Sequence, residues 1–169
     1  MLDPIVRVID RIAEVTGKAG SLVLPLLVLT ILINVFLRYV FNIGMIELEE
    51  LQWHLNAVTV MCCLAWAYQT DDHVRVDVLH GRMSPRKKAL VEVLGVIFLF
   101  LPFTLLLAHH AWTIFSFSWR LKEGSPMPSG LPARYIIKGV MAAGVSLLVV
   151  QGVGVLLKSL ARLMKAETA

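Results

Sequence analysis

The longest uncharged stretch of this chain is VLGVIFLFLPFTLLLAHHAWTIFSFSW, residues 93–119. Three further stretches lack Asp, Glu, Lys and Arg, namely residues 19–37, 51–70 and 139–157. A helix needs about 20 apolar residues to cross the ~30 Å hydrocarbon core of a bilayer. The sequence therefore predicts an all-α integral membrane protein with four transmembrane helices.

The composition is typical of a membrane protein. Of the 169 residues, 57% are hydrophobic and only 17% are charged, whereas a soluble domain carries about 25% charged residues. The uncharged stretches take up half of the chain and leave only short connections, which predicts a single membrane domain over residues 1–169. We expect the spans at about 19–40, 49–70, 88–119 and 136–158.

Residues 1–18 precede the first span and are amphipathic. Apolar residues recur on one helical face, whereas charged residues such as Arg7 and Glu14 lie elsewhere. This spacing predicts a short interfacial helix on the cytoplasmic membrane surface, and packing against the end of the bundle is an equally good interpretation. No small-residue cleavage site follows, so we expect the first span to stay in the mature protein.

Basic residues are distributed unevenly between the two sides of such a bundle. The N-terminal segment, the second loop and the tail carry eleven Lys and Arg residues, whereas the first and third loops carry five. The positive-inside rule then places both the N- and C-termini in the cytoplasm. Because orientation accounts for the net charge of +4, we predict no nucleic-acid partner.

Two predicted helices carry a face suited to helix packing. The second span has a stripe that runs from polar to small residues: Glu49, Gln52, Asn56, Thr59 and Cys63. Lipid disfavours such a stripe, so it is expected to face protein, either within this bundle or in a partner. The fourth span has a face of small residues that allows close helix approach: Gly139, Ala142, Ala143 and Ser146.

A charged pair is predicted where the first span connects to the second. Arg38 ends the first span, and Glu49 and Glu50 begin the second after a short connection. We expect a charge-assisted hydrogen bond between them at the outer interface. The alternative is that each group reaches water separately.

Sequence motifs for catalysis are absent. The chain has no phosphate-binding loop, no serine nucleophile elbow and no zinc-spaced Cys/His cluster. No charged residue lies near the middle of a predicted span, where transport sites place them. The sequence therefore predicts a protein that is not an enzyme, holds no cofactor or metal, and supports another protein. Cys62 and Cys63 are interpreted as apolar packing residues.

Three histidines provide an alternative function. His54 lies in the outer part of the second span, and His109 and His110 lie in the outer half of the third. Imidazoles at similar depth on two helices can hold b-type haem, as in a membrane anchor subunit of an oxidoreductase. The second span lacks the glycine that would give a haem clearance, which weighs against this alternative.

Several short motifs together resemble a known family. They are RYVFN (38–42), EELQWH (49–54), HVRVD (73–77) and EGSPMPSGLPAR (123–134), followed by Lys138 and Gln151. In this order and at these membrane depths they resemble the small membrane subunit (Q-type) of tripartite ATP-independent periplasmic (TRAP) transporters. The resemblance extends from about residue 20 to residue 157.

The resemblance implies a multi-pass protein of the bacterial inner membrane. Such a subunit does not translocate solute but braces the scaffold of a large multi-span subunit, which carries out sodium-coupled, elevator-type uptake of organic acid anions. A periplasmic solute-binding protein delivers the anion. The positions that match the family are Arg38, Glu50, His73, Arg75 and Asp77, which we interpret as structural and interface residues. Glu49, Gln52, Asn56, Gly139 and Ala143 complete this predicted set.

The third loop is basic and would face the periplasm in this topology. It contains Arg120, Lys122 and Arg134, followed by Lys138. Our hypothesis is that Arg120, Lys122 and Arg134 help dock the binding protein by charge. The alternative is that these side chains snorkel to the membrane interface.

Overall fold

The computed structural model describes residues 3–70 and 83–167, and all regular secondary structure in these ranges is helical. The helices are α1 (Asp3–Ser21), α2 (Val23–Val40), α3 (Ile46–Thr70), α4 (Pro85–Gly95), α5 (Leu101–Leu121) and α6 (Arg134–Glu167). A π-helical turn, Val96–Phe100, joins α4 to α5. The all-α fold class is thus confirmed for the described residues.

Three continuous helical stretches are long and apolar enough to cross a membrane: Pro4–Val40, Arg86–Leu121 and Arg134–Met164. The 25-residue helix α3 is not one of them, because polar side chains such as His54 and Gln69 lower its mean hydropathy. Four spans and the orientation of the termini therefore stay predictions.

Two prolines explain the irregular points in these long stretches. Pro25 has no N–H to donate to the carbonyl of Ser21, and α1 ends at that serine. Pro102 likewise leaves the carbonyl of Phe98 without its usual partner, and the π-helical turn contains that phenylalanine. Each proline therefore interrupts the regular α-helical hydrogen bonding about one turn before its own position.

Helices α3 and α6 pack against each other at the centre of the bundle. Helices α1 and α2 pack on α3, helices α4 and α5 pack on α6, and α1 also reaches α6. Glycines make these approaches close. A Cβ on Gly144 of α6 would lie 2.7 Å from the Cβ of Met61 in α3, and one on Gly17 of α1 would lie 2.6 Å from Trp66.

Helix α1 has a small, buried face and an apolar, exposed face. Its buried face includes Ala13, Gly17 and Gly20 and packs on α3. The exposed apolar residues recur at helical spacing: Ile5, Val8, Ile12 and Val15. One face of α1 thus packs on the bundle, while the other is available to lipid as in an interfacial helix.

Candidate functional site

The connection between α5 and α6 is tied to α3 by one carboxylate. Glu50 accepts a hydrogen bond from the Ser125 hydroxyl and a second bond, 2.6 Å long, from the backbone N–H of Leu131. These donors lie 75 and 81 residues further along the chain. We call Glu50, Ser125 and Leu131 the loop clasp, since together they fix the α5–α6 connection against the start of α3.

Gly130 is required by the packing of the loop clasp. A Cβ at this position would lie 2.7 Å from a carboxylate oxygen of Glu50 and closer still to the hydroxyl of Ser125. Gly124, in the same connection, has nothing within 4 Å of its ideal Cβ position. The absence of a side chain therefore matters at Gly130 and not at Gly124.

A second carboxylate fixes the end of α5. Glu123 accepts hydrogen bonds from the Ser118 hydroxyl and the Lys138 ammonium. The bond from Lys138 has the largest effect. Together the two bonds hold the pKa of Glu123 below its usual value of 4.5, although burial acts to raise this pKa. The helix ends in a Schellman motif, in which left-handed Lys122 (φ 49°) donates to Trp119 O and Glu123 donates to Ser118 O. Glu123 thereby joins the end of α5 to the start of α6.

Arg38 pairs with Glu49 across the connection between α2 and α3. Both side chains remain about half exposed, at 48% and 43%. Asn42 adopts a left-handed backbone (φ 55°), which asparagine tolerates better than most residues. The adjacent glutamates of α3 therefore have separate partners, since Glu49 binds α2 and Glu50 binds the α5–α6 connection.

A polar cluster ties α1 to α6 at the opposite end of the bundle. Asp10 accepts bonds from the amide of Gln151 at 3.1 Å and from the ammonium of Lys158 at 2.8 Å. Gln151 is fully buried, so the carboxylate gives its amide N–H a partner that it would otherwise lack. Contacts between segments distant in sequence thus fix both ends of the bundle.

A cleft of about 400 Å³ opens beside the loop clasp. Trp53, Met127 and Ile137 contribute apolar walls, and His54 and Arg134 add polar groups. The Nδ1 atom of His54 lies 2.6 Å from the backbone carbonyl oxygen of Glu50, one turn earlier in the same helix. The cleft therefore combines apolar walls with one exposed guanidinium and the carboxylates of Glu49 and Glu50.

The basic residues of the α5–α6 connection differ in how they present their charge. Arg120 and Arg134 are exposed. Lys122 stacks over the Trp119 ring at 4.0 Å and faces the Tyr135 ring at 5.2 Å. Lys138 instead binds Glu123. Among the described residues, Arg120 and Lys122 thus form no ion pair with an acidic side chain, whereas Arg134 lies close enough to Glu50 and Glu123 to attract both carboxylates electrostatically.

The predicted polar stripe of α3 divides between two environments. Thr59 is buried, and the Cys63 thiol donates to the carbonyl of Gly17 in α1 at 3.4 Å. The amide nitrogen of Gln52 is buried without a partner among the described residues. Asn56 is exposed. One part of the stripe therefore packs within the bundle, and another part is open to a partner.

The predicted small-residue face of α6 also divides. Gly139 lies against Phe115, whose ring would be 2.9 Å from an added Cβ, and Ser146 accepts a 2.9 Å bond from Trp112. Ala143 is exposed and shares neither contact. Its neighbour Gly144, which lies outside the predicted face, makes the close contact with α3.

Among the residues that the structure describes, the histidines do not form a haem pocket between two helices. His54 lies at the cleft on α3, whereas His109 and His110 are exposed on α5, which packs on α6. The imidazoles of α3 and α5 therefore do not face each other, and the haem-anchor alternative receives no support.

Some predicted residues lie outside the described ranges, and some partners were not predicted. His73, Arg75 and Asp77 fall outside the described residues. Sequence reasoning assigned no role to Ser125 or Gly130. The only local signal was the glycine and proline content of their connection, which excludes a helix but does not identify a partner.

A comparison with known families identifies a match over most of the chain. The family described as "Tripartite ATP-independent periplasmic transporters, DctQ component" matches residues 27–162. The matched range contains the loop clasp, the cleft and the Arg38–Glu49 pair. No curated protein and no solved structure matches the chain.

Proposed function

The chain belongs to the DctQ component family of tripartite ATP-independent periplasmic (TRAP) transporters, and we propose that it braces the large transport subunit without translocating solute. It is thus a small membrane component of a transporter, from a family of transporter components and not of enzymes. The match over residues 27–162 is the observation that carries this proposal.

The contacts at the two ends of the bundle support a bracing role. The loop clasp and the Asp10 cluster each join segments that are distant in sequence, and the Arg38–Glu49 pair joins two consecutive helices. Such ties oppose relative movement of the helices, which suits the stationary part of a transporter. We assign Gly139, which lies against Phe115, to packing within the bundle. We assign to the partner interface the exposed Asn56 and Ala143 together with Gln52, His73, Arg75 and Asp77.

We further propose that α3, the predicted second span, also crosses the membrane, which makes four spans with both termini in the cytoplasm and the protein in the bacterial inner membrane. Helices α1, α2 and α6 pack against α3 and bury polar residues such as Thr59, so these need not face lipid. Single cysteines at Asn42 and Lys87, in a variant with Cys62 and Cys63 replaced by alanine, test the topology. Membrane-impermeant maleimide should label position 42 from the periplasm and position 87 only after lysis.

The proposed activity of the complex is sodium-coupled uptake of an organic acid anion supplied by the periplasmic binding protein. Reconstitution with the large subunit and the binding protein tests it. We expect uptake driven by a sodium gradient in vesicles that hold all components, and none without this chain. Flux through this chain alone, or unchanged uptake in its absence, would contradict the proposal.

We propose that Arg120, Lys122 and Arg134 help dock the binding protein by charge. Their exposure and the adjacent cleft support this role. The double variant Arg120→Glu/Arg134→Glu should weaken uptake at low salt, with a smaller effect at high salt because salt screens exposed charges. The matched control is Lys87→Glu at the opposite end of the bundle, and equal effects of the two variants would exclude docking at this surface.

A further inference from the structure

The outward face of α5 exposes polar side chains on an apolar helix. The side of α5 that contains Thr104, Ala111 and Ser118 is buried and packs towards α6. The opposite side exposes two imidazoles and two hydroxyls. We call these four residues the α5 polar face: His109, His110, Thr113 and Ser116.

This face lies near the middle of the membrane-spanning part of the bundle. The indole N–H of Trp112 donates to Ser146 at 2.9 Å, which places one turn of α5 level with that serine. Ser146 lies between Lys138 and Lys158, which are about 30 Å apart along the axis of α6 at 1.5 Å per residue. The imidazoles therefore lie close to the midplane, where hydration is least available.

The two hydroxyls of the face are satisfied by their own helix, and the two imidazoles are not. Thr113 donates to the carbonyl of His109, and Ser116 donates to that of Thr113, each at 2.9 Å. The rings of His109 and His110 touch edge to face with centroids 5.6 Å apart. No described side chain forms a hydrogen bond with either imidazole, although each neutral ring has one donor and one acceptor.

Helix α2 provides the contrast within the same molecule. Its exposed residues are apolar along its whole central part, as at Leu29, Leu32 and Phe36. Such a surface suits hydrocarbon. Lipid tails offer the imidazoles of α5 no hydrogen-bonding group, so ionisable residues at this depth face protein or a water-filled cavity.

We propose that the α5 polar face is the surface on which a membrane-spanning helix of the large transport subunit packs. The partner helix carries hydroxyl or amide side chains at the depth of His109 and His110, and these complete the hydrogen bonds of both imidazoles. Its apolar residues pack on Phe103, Leu106 and Phe117, which flank the face and are 58–65% exposed. This inference rests on the proposed function and adds α5 to the surface that meets the large subunit.

Photo-crosslinking in membranes that contain all three components tests the assignment. A benzophenone amino acid is placed at Thr113, which leaves both histidines intact, or at Leu29 of α2 as the matched control. We expect at least tenfold more crosslink to the large subunit from position 113 than from position 29. The double variant His109→Leu/His110→Leu should retain about threefold to tenfold less large subunit on purification, whereas Leu32→Ala should retain the normal amount.

The outcomes separate this inference from the function on which it rests. If the large subunit co-purifies but crosslinks from position 29 and not from position 113, the α5 assignment is wrong and the bracing function stands. A crosslink from position 113 to a second copy of this chain also overturns the assignment. If the large subunit does not co-purify with the unmodified chain, the bracing function fails, and the α5 assignment fails with it.

Discussion

The contact between α3 and α6 makes a quantitative prediction at Gly144. A Cβ there would lie 2.7 Å from the Cβ and 2.8 Å from the carbonyl oxygen of Met61. The carbonyl belongs to a helix backbone, so relief requires the two central helices to separate. Forcing a methyl group into a close-packed site costs about 1–3 kcal/mol, while alanine gains about 0.5–1 kcal/mol over glycine within a helix. Gly144→Ala should therefore destabilise the protein.

The matched control is Gly95→Ala, because Gly95 is helical and has nothing within 4 Å of its Cβ position. The gain in helix propensity is common to both variants, so the difference between them isolates the strain at the α3–α6 contact. Thermal unfolding of the purified protein in detergent should place Tm of Gly144→Ala below that of Gly95→Ala, by about 2–4 °C per kcal/mol on the scale of soluble chains of this size. Equal Tm values, or a higher value for Gly144→Ala, would refute the close approach of these helices.

Three further predictions concern the polar contacts. Gly130→Ala should open the loop clasp and speed proteolysis of the α5–α6 connection, whereas Gly124→Ala should leave the rate unchanged; equal rates would contradict the clasp. The lowered pKa of Glu123 means that its contribution to stability is complete above its usual value of 4.5 and is lost as the pH falls through the lowered value. Glu123→Gln should therefore flatten the acid limb of a Tm-against-pH curve, and an unchanged limb would exclude this carboxylate as its source. Ser146→Ala leaves the indole of Trp112 without its acceptor and should lower stability by about 1 kcal/mol, measured as Tm against Ser116→Ala, whose loss should be smaller.

The positions of the helices follow from local features of the sequence. Uncharged stretches predict where the long helices form. Pro25 and Pro102 predict where the helical hydrogen bonding is interrupted, because the N–H that each proline lacks would bond to a carbonyl one turn earlier. The Arg38–Glu49 pair was also within reach of sequence reasoning. A short connection holds its two residues close together, and their opposite charges then favour contact.

Contacts between distant segments were not predictable in this way. The pairing of Glu50 with Ser125 depends on how α3 and the α5–α6 connection meet, and no spacing in the sequence encodes that meeting. On α6, sequence reasoning grouped Ala143 with Gly139, yet Gly144 makes the close contact with α3. Helix α6 packs on α3 with one side and on α5 with another. The spacing of the small residues along α6 therefore does not show which of them faces which neighbour.

In this bundle the hydropathy of a helix does not predict how exposed its polar side chains are, and this difference bears on function. Helix α3 is not among the three stretches apolar enough to span a bilayer, and α1, α2 and α6 pack against it. Helix α5 lies in a stretch apolar enough to span a bilayer, yet it exposes His109 and His110. A free-standing bundle would be more stable if its own helices also covered these imidazoles, because lipid tails offer them no hydrogen-bonding group. The exposed imidazoles therefore favour the proposed protein surface against α5, and α2, whose exposed face is apolar, is left to meet the lipid.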